Sequence, residues 1–152
     1  MRAAPVSLRA QAIRLLARRE YARSELEQRL VAKGAPRSEV GRVLEELIAQ
    51  GYLSDARYAR AMAARKAGGY SRRSIAEGLK SKGIARTDIE RALVEAETDD
   101  EKALHALWQR RFGKPPMDER EKARQVRFLR ARGFALSAIF KLLRDAVRGT
   151  GN

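Results

Sequence analysis

The chain has 152 residues, 33 of them basic and 19 acidic, for a formal charge of +14; hydrophobic content is 44% and cysteine is absent. That composition excludes disulfides and thiolate chemistry, leaves a zinc ion only His105 and carboxylates as ligands, and contains no run near the roughly 18 apolar residues of a membrane span. Charge also interrupts the N-terminal stretch MRAAPVSLRAQAIRLLARR, so a cytoplasmic chain with no signal core is expected.

Ala, Leu, Arg and Glu dominate and no alternating run is long enough for a strand, which makes the expected class all-α. In chain order the periodicity predicts helices over Leu8–Arg19, Arg23–Lys33 and Ser38–Gln50, then Asp55–Ala67, Ser71–Lys82 and Thr87–Glu97. A last set follows over Asp99–Arg111, Glu119–Arg132 and Ser137–Arg148. Ser24 with Glu27, and Thr87 with Glu90, have the spacing of capping boxes.

These three sets are copies of one unit. LVAKGAPRSEVGRVL from Leu30, LKSKGIARTDIERAL from Leu79 and LRARGFALSAIFKLL from Leu129 align so that Gly34, Gly83 and Gly133 lie 49 and 50 residues apart. Each glycine follows a basic residue (Lys33, Lys82, Arg132) at the end of a helical run, the pattern of a left-handed C-terminal cap. The expected organisation is therefore three tandem three-helix, helix-turn-helix-like repeats over residues 1–53, 54–97 and 98–152. A unit of about 50 residues buries so small a fraction of its surface that it is marginal alone, so neighbours should pack together.

Charge is distributed along the chain, at +4, +4 and +6 in the three repeats, which suits an extended polyanion better than one small anion. Arg outnumbers Lys 25 to 8, a bias that a GC-rich genome also produces. Within the repeats the charge is uneven. Residues 38–46 carry a net −2 and residues 87–97 a net −3, so these third helices are poorly charged for a DNA major groove; only the last, with Lys141, Arg144 and Arg148 against Asp145, escapes. The second helices are basic instead. Arg72, Arg73, Lys80 and Lys82 face a single acid, Glu77, and residues 122–132 contain none. Arg120, Arg124 and Arg127 fall at i, i+4 and i+7 on one helix face. Arg72, Arg73, Lys80, Lys82, Arg120, Arg124, Arg127, Arg130 and Arg132 are thus the candidate contacts to nucleic acid, and Glu45, Glu46, Glu95 and Glu97 the candidate contacts to protein.

Tyr21 and Tyr70 occupy equivalent positions, and Trp108 and Phe112 lie four apart; aromatics at such spacing belong more often to a core than to a base-stacking platform. His105 has no partner at nucleophile or metal spacing, and there is no phosphate loop, paired catalytic carboxylate or serine elbow. Neither an enzyme, a metal site nor a cofactor is expected.

The repeated KG and RG turns, GYLSDARYARAMAARK at Gly51–Lys66 and FLRARGFALSAIFKLL at Phe128–Leu143 together resemble the RecX family of bacterial regulators of the RecA recombinase, over about Ala12 to Val147. The resemblance implies an elongated, curved array of tandem three-helix repeats lying in the groove of the RecA filament on DNA. There it would inhibit ATP hydrolysis, strand exchange and the coprotease function, as a monomer with weak, sequence-independent affinity for single- or double-stranded DNA and none for membranes. It supplies no catalytic residues and no fixed contact motif, so contacts to the filament would fall to the same basic residues. Two other readings remain: a tandem helix-turn-helix transcription factor on double-stranded DNA, and a general nucleic-acid-binding helical repeat protein.

Overall fold

The computed structural model describes residues 6–149, in which there are nine helices and no strand. They are α1 (Leu8–Arg18), α2 (Arg23–Ala32), α3 (Arg37–Ala49), α4 (Asp55–Lys66), α5 (Arg72–Ser81), α6 (Arg86–Glu95), α7 (Asp100–Arg111), α8 (Glu119–Ala131) and α9 (Leu136–Gly149). The all-α class is the expected one, and every helix end lies within two residues of its expected place.

The repeated glycines end α2, α5 and α8 in one way. Gly34, Gly83 and Gly133 have φ of +102°, +77° and +94°. Their N–H groups, and those of Ala35, Ile84 and Phe134 just after them, turn back to the last carbonyls of the helix, with the second set reaching Leu30, Leu79 and Leu129. This is the Schellman pattern, with its apolar contact between the residue after the glycine and the Leu five before it.

That turn also sets where the next helix begins. α3, α6 and α9 each start three residues after the glycine, and the N–H groups of Val40, Ile89 and Ile139 bond the carbonyls of Pro36, Ala85 and Ala135 at 3.0 Å. Ser38, Thr87 and Ser137 are consequently the second helical residues and do not cap, so the expected Thr87–Glu90 box is not formed. Ser24 and Glu27 do not form one either, because α2 starts at Arg23; Glu25 instead accepts the Ala22 N–H at 3.0 Å. Ser71 does cap α5, its hydroxyl accepting the Ser74 N–H at 3.0 Å.

The chain divides into two compact units, one of residues up to Met62 with Leu79–Ala92, the other of Ala63–Gly78 with residues from Leu93 onward. In the first unit Leu26 and Leu30 of α2 meet Val40, Leu44 and Leu47 of α3, all five wholly buried, with Ala12, Leu15, Tyr21 and Leu53 around them. In the second, Leu104, Leu107 and Trp108 of α7 pack on Leu129, Phe134, Ile139 and Leu143. Each such side chain contributes about 1.5–3 kcal/mol by leaving water.

Inside each unit, consecutive repeats interlock through the same device. The Ser24 hydroxyl donates to the Lys82 carbonyl while the Arg23 N–H donates to Asp55 at 2.8 Å. In the second unit a backbone group replaces the hydroxyl: the Ser71 N–H donates to the Arg132 carbonyl at 2.9 Å, and the Arg72 N–H donates to Asp100 at 2.8 Å. The free N–H groups at the starts of α2 and α5 are thus satisfied by the next repeat, and the carboxylate also complements the positive end of the helix dipole.

One position departs from the pattern. Gly51, at φ +81°, closes α3; the corresponding residue closing α6 is Glu97, at φ +52°, with the same hydrogen bonds from residues 97 and 98 back to Val94 and Leu93. An L side chain there costs about 1–2 kcal/mol, part of which glycine returns as unfolded-chain entropy. Glu97→Gly should raise unfolding free energy by about 0.5–1 kcal/mol, read as a higher urea midpoint.

Candidate nucleic-acid interface

The orientation of α8 is set from its buried side. Asp118 caps the helix by accepting the Glu121 N–H at 2.8 Å, and Leu129 and Gln125 are buried. The Gln125 amide accepts from the Trp108 indole at 2.9 Å and donates to the Lys114 carbonyl at 3.2 Å. A buried amide satisfied on both sides permits one rotation of the helix. Arg120, Arg124, Arg127 and Arg130 are left exposed, and none of them makes an ion pair among the described residues.

The other basic candidates differ from these four. Arg72 is exposed, and Arg73 pairs at 3.1 Å with Glu77 one turn on, both well exposed, a contact worth a few tenths of a kcal/mol. Arg73 and Arg130 line one shallow cleft in the second unit. Lys80 is exposed in the first unit.

Lys82 and Arg132, by contrast, are engaged within the protein. Lys82 pairs at 3.4 Å with Glu25, which also binds Arg19 at 3.2 Å and the Ala22 N–H. Arg132 donates to the Gly69 carbonyl at 3.2 Å and lies 4.5 Å from the Tyr70 ring centroid and 5.1 Å from that of Phe128.

Glu25 carries a clear electrostatic signature. Burial by itself raises its pKa, but the Ala22 N–H and the Arg19 and Lys82 charges outweigh burial and hold the carboxyl below its ordinary range. The unfolded chain therefore binds the proton first. Glu25 contributes stability above the ordinary Glu pKa of about 4.3 that disappears as pH falls through its lower folded value. Glu25→Gln should cost roughly 2 kcal/mol at neutral pH and flatten the acid limb of a stability–pH profile, measured by urea denaturation at each pH.

Sequence reasoning missed a cation–aromatic cluster in the second unit. Lys66 lies 5.0 Å from the Tyr70 ring and Arg111 4.9 Å from the Phe128 ring, with Phe112 edge-on to Phe128 at 5.5 Å. Tyr70 and Phe128 are half-buried, whereas Tyr21 and Trp108 belong to the cores. The only sequence signal was an aromatic–basic alternation common on helices.

Of the acidic candidates, Glu45 and Glu46 are exposed on α3, and Glu45 pairs with Arg23 at 2.7 Å. Glu95 is exposed at the end of α6, and exposed Glu97 lies beyond it. The earlier helix starts bring Arg37 and Arg86 into α3 and α6, and α6 ends before Glu97, so each helix is a net −1, a smaller contrast than the sequence windows implied.

Models of the first, second and third three-helix domains of RecX match residues 9–47, 54–93 and 99–143. The chain belongs to the RecX family. Among similar curated proteins, the regulatory protein RecX of Pseudomonas savastanoi pv. phaseolicola is 45% identical over 141 residues, covering 91% of both chains. That of Leptothrix cholodnii is 39% identical, covering 93% of this chain and 90% of its own. A crystal structure of RecX from Lactobacillus salivarius aligns with a TM-score of 0.65 at 18% identity, covering 93% of this chain and 95% of that one; it shows the shared RecX fold. No helix among the described residues is long and apolar enough to cross a membrane.

Proposed function

We propose that this RecX-family chain binds RecA and its filament on DNA, in the cytoplasm, and inhibits RecA's ATPase, strand-exchange and coprotease activities without catalysing a reaction. The observation that carries the reading is the α8 face of Arg120, Arg124, Arg127 and Arg130, aimed at solvent with no internal ion pair among the described residues, in a family of regulatory proteins. Four such cations on one face suit the phosphates of DNA in a nucleoprotein filament. Arg72, Arg73 and Lys80 add weaker, sequence-independent contacts, while Lys82 and Arg132 act through the structure that presents them. The acids Glu45, Glu46, Glu95 and Glu97 meet basic patches on RecA, with the repeats at 1–53, 54–97 and 98–152 as binding modules of a monomer.

RecA ATPase on single-stranded DNA, with this chain added below the RecA concentration, tests the proposal. Strong inhibition at that ratio is expected. No inhibition, together with sequence-selective duplex binding, would assign the chain to transcriptional repression.

A further inference from the structure

Between α7 and α9, within the second unit, lies a cleft of about 580 Å³ whose open apolar surface is exposed Ala135 and Ala138 with half-buried Leu142 and Ala146, over the core residues Leu104, Trp108 and Phe134. Its rim is acidic. In a chain of +14, the cleft is bordered by Asp100, Glu101 and Asp145 against Lys141 alone, with His105 between. Glu101 and Asp145 are exposed and make no ion pair among the described residues. Asp100 gives one oxygen to the Arg72 N–H.

The walls run lengthwise. Glu101, Leu104, His105 and Trp108 follow i, i+3, i+4, i+7 along α7, and Ala138, Leu142 and Asp145 follow i, i+4, i+7 along α9. Ala138 is exposed and small, so another backbone can approach α9 closely there. An apolar trough between two helices, edged with like charge, is the receiving half of helix-in-groove recognition. Its rim repels nucleic acid and selects cationic flanks around an apolar centre.

We infer that the α7–α9 cleft is a docking groove for a basic amphipathic helix of a partner protein, separate from the cationic face of α8. The inference does not rest on the filament reading, and its test uses this chain without RecA. Two labelled synthetic helices of about 15 residues, with leucines at i, i+3, i+4 and i+7 and either Lys or Glu elsewhere, are titrated with the protein and followed by fluorescence anisotropy. The Lys peptide should bind at least about tenfold tighter than the Glu peptide, and Glu101→Lys with Asp145→Lys, both on exposed positions, should reverse that order. Ala138→Trp, which fills the trough, should weaken the Lys peptide by about tenfold or more while helical content and melting temperature are retained. Equal binding of both peptides, no binding of the Lys peptide, or an unchanged preference in the charge-reversed variant would overturn it. Concentration-dependent self-association of the wild-type chain that Ala138→Trp abolishes would also overturn it, by giving the groove to a second copy.

Discussion

Gly133→Ala should destabilise the protein by about 3–4 kcal/mol, whereas the same change at Gly34, an equivalent position, should cost about 1 kcal/mol. Both glycines have a left-handed φ, so both alanines meet the same backbone penalty. Their surroundings differ. A Cβ at Gly34 finds no atom within 4 Å, but at Gly133 it collides with the Ser71 hydroxyl and comes to 2.7 Å from the Ser74 Cβ. The hydroxyl caps α5, and the Cβ is fixed to the α5 backbone, so neither yields cheaply. Gly83, whose nearest atoms are those of Ser24 at 4.0 Å, should behave like Gly34. Urea unfolding midpoints of the three single variants measure the series; three equal losses would show that the interlock at Ser71 contributes nothing.

Reversal of Arg124, Arg127 and Arg130 to Glu should reduce affinity for single-stranded DNA by about a hundredfold or more near 0.1 M salt. Each phosphate that is no longer neutralised lowers the slope of log K against log salt by about 0.7, so three of them account for about two units of slope. All three arginines are exposed and unpaired among the described residues, so fold stability should change little; the melting curve serves as the control. Reversal of Lys82 or Arg132 would confound the measurement, since it places a second carboxylate beside Glu25 in one case and removes the cation between Tyr70 and Phe128 in the other. Anisotropy titrations of a labelled oligonucleotide at several salt concentrations give both numbers. An unchanged slope would remove α8 from the interface.

Much of the architecture was legible because helix period, glycine turns and the repeat all reported the same thing. The stripes through Leu26, Leu30, Val40, Leu44 and Leu47 are the expected core, and the three glycines are the expected left-handed caps. Local cues failed where the repeat geometry overrode them. Thr87 and Glu90 have cap spacing, but the Schellman turn at Gly83 fixes a helix start two residues too early for it. Charge alone does not separate cations that face solvent from cations engaged within the fold. Lys82 and Arg132 look like Lys80 and Arg130 in sequence, yet they sit where one repeat locks onto the preceding one, a long-range relation that no local window contains. The acidic rim of the α7–α9 cleft was hidden likewise, since Asp100, Glu101 and Asp145 come together only in the fold.

The target itself is tested most directly by titrating the labelled chain, near 0.15 M salt, with an oligonucleotide alone and with the same oligonucleotide coated by RecA. If the protein acts on the filament, contacts to RecA add to those with phosphate, and the coated strand binds more tightly and with a shallower salt dependence than the bare one. Equal affinity for both, with the same salt slope, would contradict the account and leave a general nucleic-acid-binding protein.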